Sequence, residues 1–179
     1  LKYAGYDGVV ITGQAPRPVY LWIHDDGAEL CDATDLWGQG IMATQEILRH
    51  RLGPKAQIAT IGPAGENLSR IASIGTNEGS AAGQGGFGAV MGSKRLKAVA
   101  VYGTGRVPLA NREGFQRLGR AIAREYLEDS AKRARPTGRR PARYGMRRVH
   151  CSSNCISGCA NRFQDVPGVL DPGRTYSGI

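Results

Sequence analysis

The sequence predicts an α+β fold in two parts: a β-rich domain over residues 1–107 and the start of a helical domain over 108–179. Three observations predict it. Short β-rich runs separated by turn signals fill the first hundred residues. Gly103, Gly105 and Pro108 then punctuate a shift in composition. Beyond them, Arg112–Ala134 reads as one long charged helix, with Phe115, Leu118, Ile122, Tyr126 and Leu127 on a core-facing stripe.

Each element comes from local residue chemistry. Tyr6–Thr12 is a β-rich run, and Gly13–Pro18 is a turn that leads to Val19–His24 as its hairpin partner. Asp25-Asp26-Gly27 signals a tight turn into Ala28–Cys31. Thr34 or Asp35 is a candidate cap for the next segment, and Ala43–Leu52 reads as a helix ended by Gly53-Pro54. Gln57–Ile61 is a short strand. Glu66–Ile74 carries Leu68, Ile71, Ala72 and Ile74 at roughly helical spacing, with Glu66 and Asn67 placed to cap it. A glycine-dense loop and a strand at Lys97–Tyr102 complete the first part.

The chain has 179 residues, of which 41% are hydrophobic, enough for a core and too many for wholesale disorder. Its formal net charge is +9, and nineteen of the 24 basic residues are Arg, a side chain suited to flat contact with phosphate or carboxylate. Eight of them, Lys or Arg, fall between 132 and 148, which reads as a solvated face or a surface for an acidic partner or a CoA phosphate. No apolar run is long enough to span a bilayer. The first residues already show a strand pattern without an initiator Met, so the chain is expected to be an internal fragment. Four cysteines, three of them clustered, fit a reducing, cytoplasmic setting and a metal site better than a disulfide framework.

Two features carry chemistry. Ser80-Ala-Ala-Gly-Gln-Gly-Gly-Phe-Gly-Ala-Val-Met-Gly-Ser-Lys94 holds Gly83, Gly85, Gly86, Gly88 and Gly92 in fifteen residues. That density fits a backbone that turns sharply or approaches another group closely. It is not a P-loop, because no Gly-Lys-Ser/Thr occurs at the required spacing. Gly83, Gly85 and Gly88 have dinucleotide-fingerprint spacing, but the loop is expected to lead into a strand, not the required helix. A nest of N–H groups holding an anion and plain helix–strand packing both remain open. The second feature is Cys151, Cys155 and Cys159 at C-x3-C-x3-C spacing. On one helix, the outer two would stand roughly 12 Å apart along the axis. The intervening Ser, Asn and Gly favour a loop that gathers the thiolates instead. A [4Fe–4S] cluster or zinc would need a fourth ligand, for which Cys31 has no supporting context. His150 beside Cys151 could tune a cluster, while His24 and His50 read as structural.

Ile61-Gly-Pro-Ala-Gly-Glu-Asn-Leu68, Ala72-Ser-Ile74, Asn77, Ala81-Ala-Gly83, Gly85-Gly86, and Gly88-Ala-Val-Met-Gly-Ser-Lys94 with Leu96-Lys-Ala98 resemble the tungsten-containing aldehyde ferredoxin oxidoreductase family. Tyr3-Ala-Gly-Tyr-Asp-Gly8, Pro18-Val-Tyr-Leu21 and Asp32-Ala-Thr-Asp-Leu-Trp37 resemble it too. The likeness runs from residue 1 to about 107, and the cysteines fall in the expected order. It implies the later part of a β-rich domain cradling a tungsten (or molybdenum) bis-pterin, and after it the start of a helical iron–sulfur domain. It further implies aldehyde oxidation to carboxylic acids, with electrons passed to ferredoxin or another electron-transfer subunit, in a homo-oligomer or larger complex. Ser80, Ala81, Gly83, Gln84 and Gly85 would line the cofactor's phosphates, where a backbone carbonyl helps hold Mg2+. Cys151, Cys155 and Cys159 would be three [4Fe–4S] ligands, with the fourth beyond Ile179. No catalytic residue is identified in this chain, which is not expected to be active alone.

Two departures bear on substrate. Aldehyde-oxidising members commonly read R-A-A-G-R-G-G where this chain has Ser80 and Gln84, so two bidentate charge contacts are missing. The cysteine spacing differs too, the more familiar form being C-x2-C-x3-C. The Gln-Gly-Gly-Phe-Gly variant is closer to the catalytic subunit of tungsten aryl-CoA reductases, whose substrate would be an acyl-CoA rather than a small carbonyl compound. An alternative of another class is a basic zinc-binding nucleic-acid module. The glycine segment and the lack of aromatics among the Arg residues argue against it; neither nucleic acid nor membrane is an expected partner.

Overall fold

The computed structural model describes residues 1–76, 80–133, 145–149, 160–167 and 175–178. Two compact units divide the chain, Leu1–Val107 and Pro108–Ile179. The first is built on a six-stranded mixed sheet. In chain order its strands are β1 (Val19–His24), β2 (Gly27–Asp32), β3 (Gln57–Thr60), β4 (Ile74–Gly75), β5 (Ala81–Ala82) and β6 (Leu96–Val101). In space they run β2-β1-β6-β3-β4-β5. Only the β1–β6 pairing is parallel.

Strand alternation sends neighbouring residues to opposite faces. Tyr20 of β1 and Ala98 and Ala100 of β6 join Leu36, Leu48 and Ile58 in one apolar cluster. Leu21 and Ile23 of β1 join Ile61, Met91 and Leu96 in the other, against which Val99 and Val101 also pack. Helix α1 (Ile41–Leu52) supplies Leu48 to the first cluster. A single turn, α2 (Pro63–Glu66), precedes helix α3 (Phe87–Ser93), which supplies Met91 to the second. The α1 helix ends at Gly53 with positive φ, and Arg49, His50 and Arg51 lie in its last turn, where cations suit the dipole.

The structure corrects several expectations. Residues 6–12 form no strand, because β1 is paired on one side by β2 and on the other by β6, leaving no edge to occupy. Thr34 and Asp35 do not cap α1. They lie in a 3-10 turn, Thr34–Leu36, while Gly40 takes the N-cap position. Asp35 pairs instead with Arg51, whose guanidinium holds its carboxyl below the usual carboxylate range. The helix expected over Glu66–Ile74 is replaced by the α2 turn, which ends where that helix was to begin. Pro63 starts the turn with its fixed φ, and Leu68 at φ 59° breaks the chain away. Ile71, assigned to the apolar face, is 87% exposed. Asn67 closes the C-terminal end, its Nδ2 donating to the Pro63 carbonyl at 2.9 Å.

In the second unit, helix α4 (Arg112–Arg133) matches the predicted span closely. Its stripe does not face a core among the described residues: Phe115, Leu118, Ile122 and Tyr126 are all exposed. A three-stranded antiparallel sheet, β7 (Gly145–Val149), β8 (Ala160–Pro167) and β9 (Thr175–Gly178), was not foreseen from the sequence. Cys151, Cys155, Cys159 and His150, like Asn77, lie outside the described residues. Among those described, no helix is long and apolar enough to cross a membrane.

Candidate cofactor-binding loop

The glycine run separates into two halves with different physical roles. Gly86 adopts φ 69° at the N-cap of α3, and a Cβ there would stand 2.3 Å from the Arg70 carbonyl oxygen. A Cβ on Gly88 would stand 2.7 Å from the Ser73 carbonyl oxygen, and one on Gly92 only 1.9 Å from that of Gly65. These three glycines let α3 pack against α2 and against segment 70–73, where the Gly88 N–H donates to the Ala72 carbonyl at 2.9 Å. They therefore serve internal packing.

The other half is open. A Cβ on Gly83 would meet nothing within 4 Å, and one on Gly85 only the Phe87 ring. Gly85 nevertheless requires glycine, since its φ is 96°. Ala81, Gly83, Gln84 and Gly85 are exposed, and Ser80 is half-buried. The segment is tethered at its start: Thr76 N–H and Oγ1 both donate to the Ser80 carbonyl, at 2.7 and 2.9 Å. Ala81 and Ala82 then pair with β4 as the last strand of the sheet. A bare backbone with small side chains, held at a sheet edge, fits the close approach of a phosphate-bearing cofactor. The donors present are peptide N–H groups, the Ser80 hydroxyl and the Gln84 amide; peptide carbonyls are available to a cation.

The loop runs into a helix, contrary to the expectation of a strand. The fingerprint spacing of Gly83, Gly85 and Gly88 therefore sits at a loop–helix junction. It still does not make a dinucleotide-binding βαβ unit. Counting antiparallel pairings outward from β6 through β3 and β4 leaves β5 antiparallel to β6, whereas that unit needs parallel strands.

Sequence reasoning missed a fully buried charged group. Lys97, on β6, is fully buried. Its ammonium pairs with Glu66 Oε1 and donates to the Gln39 carbonyl at 2.8 Å, while Glu66 Oε2 accepts from Gly38 N–H at 2.8 Å. Glu66 is thus not a helix cap but one half of a buried ion pair joining α2, β6 and the loop before α1. Its only sequence signal is a Lys inside an otherwise apolar strand.

Two other candidates, His24 and Cys31, make local contacts. His24 Nδ1 accepts from Asp26 N–H at 3.3 Å and Nε2 lies 3.4 Å from Glu29. Cys31 is half-buried opposite Tyr20, whose hydroxyl is pushed up to about 12 by burial and then by the neighbouring thiol. No group of three or more His, Cys, Asp or Glu poised to hold a metal occurs among the described residues.

The model of the aldehyde ferredoxin oxidoreductase N-terminal domain matches residues 1–103, the whole sheet and the glycine loop included. The chain belongs to the aldehyde ferredoxin oxidoreductase family. It is 48% identical over 130 residues to a tungsten-containing aldehyde ferredoxin oxidoreductase of Pyrococcus furiosus, covering 72% of this chain and 22% of that protein. The WOR-like subunit of an aliphatic sulfonate oxidoreductase from the same organism is 45% identical over 121 residues, 60% of this chain and 19% of the relative. Among solved structures, the BamBC active-site complex of benzoyl coenzyme A reductase, in complex with 1,5-dienoyl-CoA, matches with TM-score 0.65 and 40% identity. That match covers 79% of this chain and 21% of the other. The chain spans about a fifth of the length of these proteins, all named as oxidoreductases or reductases. Family membership agrees with the α+β architecture and with the resemblance read from Ile61–Ala98.

Proposed function

We propose that the full-length protein is an oxidoreductase that converts aldehydes to carboxylic acids, using a tungsten (or molybdenum) bis-pterin and a [4Fe–4S] cluster. The family match over residues 1–103 carries this reading, because it includes the open loop. When bound, the metal–pterin group supplies the redox chemistry at the substrate carbonyl. The chain's own part is binding and orientation. Gly83 and Gly85 would let cofactor phosphates approach the peptide N–H groups, Ser80 and Gln84 would add neutral donors, and a backbone carbonyl of segment 80–85 would help hold the accompanying Mg2+. Cys151, Cys155 and Cys159 would be ligands of the cluster, which would supply electron transfer to ferredoxin or a partner subunit. A cytoplasmic location accompanies this reading, since cluster thiolates need reducing conditions. Family membership favours it over a zinc-binding nucleic-acid module.

A second reading is an aryl-CoA reductase-like catalytic subunit. The benzoyl coenzyme A reductase match supports it, as do the neutral Ser80 and Gln84. Assays with simple aldehydes against an aromatic acyl-CoA separate the two.

Metal analysis and EPR of the anaerobically purified full-length protein test the proposal. Tungsten or molybdenum with about four irons per chain is expected. Cys155→Ser should remove the [4Fe–4S] signal. Zinc alone, or an unaltered signal in the variant, overturns the corresponding assignment.

A further inference from the structure

We propose that Arg70 is the cationic side chain that holds the anionic part of the cofactor at the glycine loop. The inference rests on the proposed cofactor reading and assigns a residue to it. Arg70 is the only Lys or Arg between Lys55 and Lys94. Its backbone lies directly against the loop: a Cβ built on Gly86 would stand 2.3 Å from its carbonyl oxygen and 3.6 Å from its Cα. Gly86 directly follows the open segment Gly83–Gly85, so the long Arg70 side chain starts from backbone packed one residue beyond it.

Arg70 is also free to serve. It is exposed and makes no hydrogen bond or ion pair through its side chain among the described residues. The other cations close in sequence are engaged. Lys94 Nζ donates to the Gly13 carbonyl at 3.2 Å, Arg95 donates to the carbonyls of Ala15 and Pro16, and Lys97 is buried on Glu66. The loop itself contributes only neutral donors, Ser80 and Gln84. Among the described residues, phosphates at the loop would otherwise meet neutral donors and lack a fixed counter-charge. One planar, permanently charged fork beside the loop supplies it.

The test uses the anaerobically purified full-length enzyme, as wild type and as Arg70→Gln, Arg70→Lys and Lys55→Gln. Lys55 is exposed on the same unit and controls for loss of one positive charge. Tungsten (or molybdenum) and pterin retained per chain are tracked during dialysis at rising salt, alongside the melting temperature. Arg70→Gln should lose both at least about tenfold faster, the scale of one charge-assisted hydrogen bond. Arg70→Lys should be intermediate and Lys55→Gln unchanged, with the Arg70→Gln apoprotein melting as the wild-type apoprotein does. Equal retention in Arg70→Gln overturns the assignment. So does a lowered apoprotein melting temperature with retention intact, which would make Arg70 a structural residue. Wild-type protein carrying neither metal overturns the cofactor reading itself, and this assignment falls with it.

Discussion

At the scale of single residues, Lys97 shows how far burial can override composition. A lysine on a central strand is stable there only because Glu66 and the Gln39 carbonyl replace the water its ammonium loses. Removing one partner leaves the other charge buried and unpaired. Lys97→Met in the full-length protein should therefore cost about 3–5 kcal/mol in urea unfolding, and the further change Glu66→Gln should recover part of that loss. A double-variant cost equal to the sum of the Lys97→Met and Glu66→Gln costs would mean the pair carries no coupling. Asp25 makes the opposite case, an exposed carboxylate with a specific partner. Hydrogen bonds from the Thr104 side chain and N–H hold its carboxyl below the usual carboxylate range. Its contribution to stability is present above the unfolded-state value of about 3.9 and lost as pH falls through the lower folded value. Asp25→Asn should accordingly flatten the acid limb of melting temperature against pH, and an unchanged limb would show that Asp25 does not shape it. Neither partnership was legible in advance, because Glu66 and Lys97 are separated by 31 positions and Asp25 and Thr104 by 79.

At the scale of elements, the glycine loop divides where its neighbours differ. Gly92→Ala forces a methyl into the Gly65 carbonyl and should destabilise the unit by about 1–3 kcal/mol, the usual range for overpacking. Gly83→Ala meets open space and should change stability by less than about 0.5 kcal/mol while weakening cofactor retention. Equal melting temperatures for the two would contradict the division. The β1–β2 hairpin, α1, β3 and β6 were legible because each is set by a nearby turn or a glycine stop. The run at 6–12 was misread because strand propensity says nothing about whether an edge is free. The helix at 66–74 was misread because its apolar spacing competes with a Leu68 conformation that no helix accommodates. The loop's exit was misread because Phe87–Ser93 holds two glycines, poor helix formers stabilised here by packing on Gly65 and Ala72.

At the scale of the whole molecule, the first unit closes two apolar clusters around one sheet, which is why its pattern of short strands was enough to name the fold class. The exposed stripe on α4 belongs to a chain that spans about a fifth of the length of its relatives. By itself, the sequence determined the family, through Ile61–Leu68 and the run from Ala81 to Lys94, and with it the class of cofactor to look for. It also placed the five glycines together. Which of them face a neighbour and which face open space was decided only by the tertiary structure. The reason is physical: a glycine's role lies in what a Cβ would strike, and the atoms it would strike here come from Gly65, Arg70 and Ser73. The same holds for Arg70, whose charge is plain in the sequence but whose place beside the loop is set by packing between segments sixteen residues apart.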